Sequence, residues 1–447
     1  MKTLYIANRG EIACRIIRSA REMGLRTAVG FSDADRGALF TEMADVSIHL
    51  GGAAASDSYL NREAILQALR QSQAELIHPG YGFLSERADF ARLVQQSGIA
   101  WVGPSADVID AMGDKENARH AMDSYGVPIV PGQSGLSTVA QLRQAADAIG
   151  FPVMIKAALG GGGIGMKIVK APEEFDAAAE EAMGRSERAF GSARVFVEKL
   201  VEQPHHVEIQ IFGTTAGTVF TLPERECSVQ RRHQKIVEES PSPFANSASR
   251  AARASAAHKG AAGLGYRNAG TFEFLLSGAQ QPYFLEVNTR LQVEHPVTEM
   301  ITGLDLVNLQ LRTALGEDVS GELAAVRGAN GHAIEYRLYA ENPNNFLPSP
   351  GTITALQWPQ GDGIRIDTGV RAGDTITPYY DPMIAKIIVW GRDRTEALAR
   401  SRTALAELVI DGLKTNLPFL RELLEYPPFL AGGYDTSIVY GLRPKLK

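Results

Sequence analysis

The chain has 447 residues, enough for roughly two to four domains, and its 45% hydrophobic and 21% charged residues fit a globular protein with a buried core. A net charge of −6 excludes the basic balance typical of nucleic-acid or anionic-membrane binding. The two cysteines, Cys14 and Cys227, predict a reduced, cytoplasmic protein without disulfides. No apolar run approaches the length of a membrane span, so we expect no membrane partner.

The first 113 residues alternate between strand and helix patterns. Short apolar runs at residues 3–8, 26–31, 74–79 and 100–103 are separated by helix-period segments at 9–24, 59–73 and 90–98. This alternation predicts an open parallel sheet, with ligand loops at Ala7–Glu11 and His78–Glu86 beyond strand ends. No GxGxxG follows the first strand, so a dinucleotide enzyme is disfavoured.

A compact unit between about residues 130 and 200 contains a glycine run. Gly160–Gly163 and Gly165 lie between two β-type runs, and neither a GK[ST] sequence nor a helix follows, so this is not a Walker loop. We predict a hairpin whose tip lays backbone N–H groups over a phosphate chain, with Lys156 nearby; a ligand-free glycine turn is the alternative. The run "VFVEKLV", with Glu198, is either an adenine-binding segment or an ordinary edge strand.

The stretch Tyr283–Pro296 alternates polar and apolar residues. Read as one strand, it carries its polar side chains on one face: Glu286, Asn288, Arg290, Gln292 and Glu294. Glu273 lies on a preceding strand pattern, and paired carboxylates with an amide oxygen suit Mg²⁺. Arg suits a planar oxyanion, and a glutamate can act as general base. A solvated polar face is the alternative, although the flanking apolar residues favour burial.

A basic run, "ECSVQRRHQKIVEES", precedes these strands and is either a solvated loop or an anion pocket. Its basic residues are Arg231, Arg232, His233 and Lys235. Together with the glycine hairpin and the paired glutamates, it points to a nucleotide, two magnesium ions and an acceptor anion.

The sequence resembles the biotin carboxylases of the ATP-grasp superfamily over essentially the whole chain. The resemblance is carried by "ANRGEIACRI", "HPGYGFLSE", "MGDKENAR", "IKAALGGGGIGM", "HHVEIQ", "ERECSVQRRHQK", "GTFEFL", "EVNTRLQVEHPVTE", "FLPSPG" and "YYDPMIAK". It implies an α/β protein with an N-terminal open parallel sheet, an ATP-grasp lid and a β-rich C-terminal part. The implied domains are residues 1–113, 114–203, 204–330 and 331–447.

The resemblance also implies site roles. Residues expected to hold ATP are Lys115, Lys156, Gly160, Gly161, Gly162, Gly163, Gly165, Met166, Glu198, Lys199, Leu200, His206, Gln230, His233 and Leu275. Two Mg²⁺ or Mn²⁺ ions are expected on Glu273, Glu286 and Asn288, and bicarbonate on Lys235, Arg290, Gln292 and Val293. Glu294 is expected to deprotonate bicarbonate, Arg337 to stabilise the biotin enolate, and Tyr81 to lie near the biotin ring.

The implied reaction is ATP-dependent carboxylation of biotin by bicarbonate through carboxyphosphate, giving ADP, phosphate and N-carboxybiotin. It is the first half-reaction of acetyl-CoA carboxylase in fatty acid biosynthesis, or of a related acyl-CoA carboxylase. No biotinyl-lysine motif of the "AMKM" type occurs in the sequence. Biotin is therefore expected on a partner, a biotin carboxyl carrier protein, together with a carboxyltransferase subunit, and the chain is expected to form a homodimer.

Two departures from the family pattern lie in the glycine loop. Ile164 stands where an arginine or lysine is common, and Leu159 where a small residue is usual, which bears on rate and loop closure more than on the reaction. Two rival interpretations remain: another ATP-grasp ligase, of carbamoyl-phosphate or carboxylate–amine type, or a non-catalytic nucleotide-binding subunit.

Overall fold

The computed structural model describes residues 1–159 and 166–446, and its N-terminal part is a parallel sheet. The elements are Thr3–Ile6 (β1), Gly10–Glu22 (α1), Arg26–Ser32 (β2), Leu39–Met43 (α2), Val46–Gly51 (β3), Arg62–Ser72 (α3), Leu76–His78 (β4), Ala88–Gln96 (α4), Ala100–Trp101 (β5) and Ala106–Gly113 (α5). The strand order β3-β2-β1-β4-β5, parallel throughout, confirms the predicted sheet. Strand β3 was not predicted; it is a half-exposed edge strand without an apolar run.

Helix α1 packs on this sheet through the apolar residues that the sequence places on one helical face. Ile12, Ile16 and Ile17 are each at most 1% exposed. The loops after β1 and β4 meet at the carboxyl edge of the sheet, where the Asn8 side-chain amide donates to the backbone oxygens of Pro79 and Tyr81, both at 2.8 Å. The two predicted ligand loops are therefore joined into one rim.

The second unit is a small antiparallel sheet with two helices on it. Helix Lys115–Ser124 (α6) precedes this unit and packs against Ala106–Gly113 (α5). The elements of the unit are Gly132–Gln133 (β6), Val139–Ile149 (α7), Val153–Ala157 (β7), Lys167–Val169 (β8), Phe175–Phe190 (α8) and Val195–Lys199 (β9). Strands β7 and β8 pair as the two arms of the predicted hairpin, and β9 lies inside the sheet between β6 and β7. The glycines of the predicted phosphate-binding tip, and Ile164, lie outside the described residues.

The rest of the chain is built around a long antiparallel sheet, with two separate two-stranded sheets. The elements are His205–Gly213 (β10), Val219–Thr221 (β11), Arg225–Arg231 (β12), Gln234–Ser240 (β13), Ser247–Gly263 (α9), Asn268–Leu276 (β14), Pro282–Asn288 (β15), His295–Thr302 (α10), Leu306–Ala314 (α11), Ser320–Ala325 (α12), His332–Tyr339 (β16), Gly351–Thr352 (β17), Ala355–Gln357 (β18), Ile364–Thr368 (β19), Thr375–Ile376 (β20), Met383–Gly391 (β21), Arg394–Glu407 (α13), Val409–Asp411 (β22), Leu417–Leu423 (α14), Pro427–Ala431 (α15) and Ile438–Leu442 (α16). The order β15-β14-β10-β12-β13-β16-β21-β19 runs without interruption across residue 330, and the two-stranded sheets are β17-β20 and β18-β22.

Alternation along β16 and β21 separates an apolar face from a charged one. Ile334, Tyr336 and Ile387 belong to a buried core together with residues of α13 and α14. The residues between them, among them Arg337 and its cross-strand partner Lys386, point to the opposite face. That charged face is where the candidate site lies.

Reading Tyr283–Pro296 as one strand holds only for "YFLEVN", Tyr283–Asn288. Strand β15 ends at Asn288, residues 289–293 form a connection, and helix α10 begins at His295 with Pro296 in its first turn, where a missing N–H costs nothing. Alternation of polar and apolar residues indicates a strand, but it does not indicate the residue at which the strand ends. The predicted burial is nevertheless present, since Asn288, Gln292 and Glu294 are buried.

The basic run is a β-hairpin and not a loop. Strands β12 and β13 pair, and the turn between them is made by Arg232 and His233, whose φ angles are +47° and +67°. These are left-handed conformations that non-glycine residues adopt only in tight turns. The turn places His233 and Lys235 in the same cleft as the carboxylates Glu273 and Glu286 of the neighbouring strands.

Candidate active site

The predicted site residues line a single cleft of about 910 Å³. Of those in the described part of the chain, only Glu294 does not line it; this residue is fully buried directly behind the wall. A second cavity, of about 430 Å³, opens beside the first and shares Tyr81, Val293 and Arg337 with it. The structure therefore brings together what the sequence predicted, while the roles of the individual residues stay predictions.

Lys235 occupies the floor of the cleft and contacts three carboxylates. Its Nζ lies 2.6 Å from Glu208 Oε2, 2.8 Å from Glu273 Oε1 and 2.6 Å from Glu294 Oε1. Burial alone would lower the pKa of Lys235, but the three carboxylates raise it well above its usual value. Lys235 is therefore a fixed positive charge in a water-poor site.

Glu208 and Arg225 lie beneath Lys235 and were missed by the sequence analysis. Both side chains are fully buried, and the Arg225 guanidinium donates to Glu208, to Gln210 Oε1 at 2.8 Å and to Thr298 Oγ1 at 2.9 Å. A signal existed: Glu208 alternates with His206 and Gln210 in "HHVEIQ", a run of polar side chains on an otherwise apolar strand. Arg225 stabilises the extra carboxylate that orients Lys235.

Glu294 lies between two cations at the start of helix α10. One carboxylate oxygen contacts Lys235, and the other accepts a hydrogen bond from Arg337 NH2 at 3.0 Å. Burial would raise the pKa of Glu294, but Lys235, then Arg337 and Arg225, hold it well below its usual value. Without substrate, the carboxylate is therefore ionised.

Glu273 and Glu286 are direct cross-strand partners on β14 and β15, as the sequence analysis proposed. Burial and the charge of Glu273 raise the pKa of Glu286, so the structure disfavours two bare carboxylates here. A divalent cation would relieve that repulsion, and carboxylates plus the Asn288 amide oxygen are ligands that Mg²⁺ accepts. The residues present therefore fit the predicted metal.

A different trio, His206, Glu208 and Glu273, has its donor atoms within 4.8 Å of one another. Lys235 contacts both carboxylates of this trio but only Glu273 in the Glu273–Glu286 pair, so a cation held by the trio would compete with the lysine ammonium at both carboxylates. His206 also shares a hydrogen bond of 2.7 Å with Glu273. We therefore favour the Glu273–Glu286 pair as the metal position.

Arg290 is held in place by a residue of the N-terminal unit. Its Nε donates to Glu86 Oε2 at 2.9 Å, and its two terminal nitrogens donate to Gln292 Oε1 at 2.6 Å and Asn288 Oδ1 at 3.0 Å. Glu86 lies at the end of the second predicted ligand loop but was not singled out as a site residue. The clamp orients the guanidinium at the cleft wall, which suits an anion.

The other end of the cleft has the groups expected around a nucleotide. Lys156 forms an ion pair with Glu198 on the neighbouring strand β9. Lys199 donates from Nζ to the backbone oxygens of Gly150 and Phe151, at 2.8 and 3.0 Å. The remaining described residues predicted to contact ATP line this end: Lys115, Met166, Leu200, His206, Gln230, His233 and Leu275.

Comparison with known proteins identifies the family. Residues 1–109 match the family described as "Biotin carboxylase, N-terminal domain", residues 114–321 "Carbamoyl-phosphate synthase L chain, ATP binding domain", and residues 335–440 "Biotin carboxylase C-terminal domain". "Biotin carboxylase 2" of Bacillus subtilis is 47% identical over 437 residues, which cover 98% of each chain. This chain belongs to the biotin carboxylase family. The predicted family, fold class and enzyme class, an ATP-dependent ligase that carboxylates biotin, are confirmed.

Family relatives differ in total length. The "Methylcrotonoyl-CoA carboxylase subunit alpha, mitochondrial" of Dictyostelium discoideum is 46% identical over 98% of this chain, but this chain spans only 63% of that relative. A biotin carboxylase domain dimer of the Hydrogenobacter thermophilus 2-oxoglutarate carboxylase is a solved structure with a TM-score of 0.94 and 42% identity. The match covers 100% of this chain and 98% of that one, whose description names MgADP, ADP and bicarbonate.

These matches confirm the predicted use of ATP, magnesium, bicarbonate and biotin by this biotin carboxylase family member. They also favour biotin carboxylation over the rival carbamoyl-phosphate or carboxylate–amine ligase and over a non-catalytic subunit, because biotin carboxylase domains flank the ATP-binding domain on both sides. None of the helices in the described part of the chain combines the length and hydropathy of a membrane span.

Proposed function

We propose that this biotin carboxylase uses Glu294 as the base that deprotonates bicarbonate, with Lys235 and Arg337 controlling its charge. The observation that carries this proposal is the position of Glu294, which is fully buried, contacts both cations and directly follows Val293, a residue that lines both cavities. One cavity fits a nucleotide and an anion, and the other opens beside the group expected to face biotin.

ATP binding is proposed to engage the described residues at the nucleotide end of the large cleft. The phosphates would compete with Glu198 for Lys156. On ATP binding, Lys156 would therefore replace its contact with the Glu198 carboxylate by a contact with a phosphate. Backbone groups next to Lys199 and Leu200 suit an adenine edge, since β9 ends there and the cleft walls include Met154 and Phe196. We propose that Gly160–Gly165 covers the phosphates.

Glu273, Glu286 and Asn288 are proposed to hold two divalent ions, Mg²⁺ or Mn²⁺. When bound, such ions neutralise charge on the transferring phosphoryl group. In the structure Glu273 Oε1 accepts hydrogen bonds from Asn288 Nδ2 at 2.7 Å and Gln292 Nε2 at 2.8 Å. These amides hold the Glu273 carboxylate in one orientation and, being uncharged, leave its negative charge for the metal ions.

Bicarbonate is proposed to bind between Arg290, Lys235 and the backbone at Val293. In the structure, the positive charge of Lys235 lowers the pKa of Glu294. A bound bicarbonate anion would also interact with Lys235 and so weaken this effect. Sharing Lys235 with the anion raises the proton affinity of Glu294 at the moment when it must accept the bicarbonate proton. The low pKa of the ligand-free carboxylate is therefore compatible with its role as a base.

Biotin is proposed to approach Arg337 from the side of the smaller cavity. Tyr81 lines both cavities, and its hydroxyl donates to Glu11 on helix α1, which fixes the ring. Phosphate released from carboxyphosphate would take the ureido N–H proton, the Arg337 guanidinium would stabilise the resulting charge on the ureido oxygen, and the nitrogen would capture the CO₂ released in the same breakdown.

The remaining predictions are part of this proposal. We propose domains at residues 1–113, 114–203, 204–330 and 331–447, a cytoplasmic location and a homodimer. We propose that biotin arrives on a biotin carboxyl carrier protein and that a carboxyltransferase subunit passes the carboxyl group to an acyl-CoA. Relatives named as subunits of larger carboxylases support multi-component assembly.

The test is ADP release by the purified chain with Mg²⁺, ATP and bicarbonate, with and without free biotin. We expect biotin-stimulated, bicarbonate-dependent turnover that Glu294→Gln loses while still binding ATP. Removing one general base typically costs about 10²–10⁴-fold in rate. The matched control is Glu226→Gln, because Glu226 is equally buried, is held by the hydroxyls of Ser228 and Ser242, and lines neither cavity.

Full turnover by Glu294→Gln would exclude this residue as the base. Equal loss in Glu226→Gln would show that the effect comes from altered packing. Turnover that ignores biotin but needs the carrier protein would leave the chemistry intact and show that the carrier contributes to binding.

A further inference from the structure

Two glutamates face each other behind Arg337. Glu238 on β13 and Glu335 on β16 are direct partners in the antiparallel register, and each is 0% exposed. In the described part of the chain, Glu238 Oε2 and both oxygens of Glu335 are buried with neither a hydrogen bond nor an ion pair, and Glu238 Oε1 contacts only Arg337. Side chains directly opposite each other in such a pair have Cβ atoms about 4.5–5.5 Å apart. Two ionised carboxylates on such neighbouring side chains, away from water, repel each other.

The nearby cations do not cancel this repulsion. Arg337 NH2 lies 2.5 Å from Glu238 Oε1, but the same nitrogen also serves Glu294 at 3.0 Å. Lys386, the cross-strand partner of Arg337, is held by Glu11 Oε1 at 2.8 Å. Among the described residues no ion pair reaches Glu335.

We propose that Glu238 and Glu335 share a single proton, and that this proton keeps the positive charge of Arg337 available to biotin. The inference rests on the proposed role of Arg337 and adds two positioning residues to it. With one proton, the pair carries one negative charge, which Glu238 directs at the guanidinium. When that proton leaves to solvent at higher pH, a second buried negative charge appears beside Arg337 and disfavours the developing ureido oxyanion.

The acidities agree with this geometry. Burial raises the pKa of Glu238 to about 7, although Arg337 lowers it, and burial raises the pKa of Glu335 well above its usual value. If the pair shares a proton, the two titration steps belong to both residues. The charged groups that face the pair are Arg337, Glu294, Lys235 and Lys386, and the uncharged titratable groups near it are Tyr81, Tyr339 and Cys227.

The experiment compares the wild type with Glu335→Gln from about pH 6 to pH 9, using kcat/KM for free biotin. Glutamine imitates the protonated carboxyl and cannot titrate. We expect the variant to match the wild type below about pH 7, and the variant-to-wild-type ratio to rise by about tenfold per pH unit above the pKa of the pair. Glu341→Gln is the control, since Glu341 is also buried, also has a pKa raised to about 7 by burial, and pairs with Arg231.

A second measurement does not depend on biotin chemistry. The wild-type infrared spectrum minus that of Glu335→Gln should show the carbonyl band of a protonated carboxylic acid that disappears as pH rises, because the subtraction removes the other buried carboxyls, such as Glu341. A wild type without such a band at pH 7 overturns the proposal even if the variant does not fold. So does a folded variant whose pH profile keeps the wild-type shape, or one inactive at every pH.

Failure of the two proposals can be told apart. If biotin stimulates no form of the enzyme, the proposed function fails, while the infrared titration still decides whether the proton is shared. If biotin-dependent turnover is normal and the titration is absent, only the shared proton is rejected.

Discussion

Removing Arg225 should destabilise the fold, because it leaves Glu208 buried with one cation fewer. Arg225 is 0% exposed and donates to Glu208, Gln210, Thr298 and Thr271. Losing one partner of a buried ion pair costs about 3–5 kcal/mol. Lys235 remains 2.6 Å from Glu208, so we expect Arg225→Met to cost about 3 kcal/mol, at the lower end of that range.

The assay is urea unfolding followed by tryptophan fluorescence, with the free energy obtained by linear extrapolation. The double variant Arg225→Met/Glu208→Gln should recover at least about 1 kcal/mol of the loss, because it removes the unpaired charge. The control is Arg371→Met, whose pair with Glu42 lies at the surface and should leave the unfolding midpoint unchanged. A loss below about 1 kcal/mol in Arg225→Met, or no recovery in the double variant, would refute the reasoning.

Three further predictions concern pH, bicarbonate and metal. Burial would raise the pKa of Glu239, but the hydrogen bond from His332 helps to hold it at about 2. This pairing therefore stabilises the fold above pH 4.5, the ordinary pKa of a glutamate, and the stabilisation is lost as pH falls toward 2. Between these two pH values, the melting temperature of Glu239→Gln should change less with pH than that of the wild type. Glu86→Gln should raise the KM for bicarbonate by about tenfold with little change in the KM for ATP, because Arg290 loses a charge-assisted hydrogen bond; an equal rise in both constants would argue against a specific clamp. Chelating Mg²⁺ should abolish ADP release, and Glu286→Gln should raise the Mg²⁺ concentration for half-maximal rate by at least about tenfold; an unchanged Mg²⁺ requirement would exclude Glu286 as a ligand.

Much of the site could be predicted from local sequence because its parts lie on regular elements. The parallel sheet follows from alternating strand and helix patterns, and Glu273 and Glu286 meet because two consecutive strands form an antiparallel pair. The family motifs extended this to residues such as Arg337, whose isolated position in "EYRLYAE" carries no local signal. Sequence order and periodicity are sufficient where partners are close along the chain.

Other contacts join residues far apart along the chain, and no local pattern could have shown them. Arg290 is clamped by Glu86, 204 residues away, because the rim loop of the parallel sheet reaches the floor of the cleft. Lys386 likewise forms an ion pair with Glu11, so the first and last parts of the chain meet beside the site.

The sequence by itself determined the element types, the carboxylate pair and the family. Tertiary structure decided how the charges are compensated. Strand β15 ends at Asn288, so Gln292 and Glu294 reach the cleft from a connection and a helix start, which a strand pattern could not indicate. Glu238 and Glu335 lie nearly a hundred residues apart and become neighbours only through the register of β13 with β16. Electrostatic effects depend on distance and on exclusion of water, and both are fixed only when the sheet closes over these side chains.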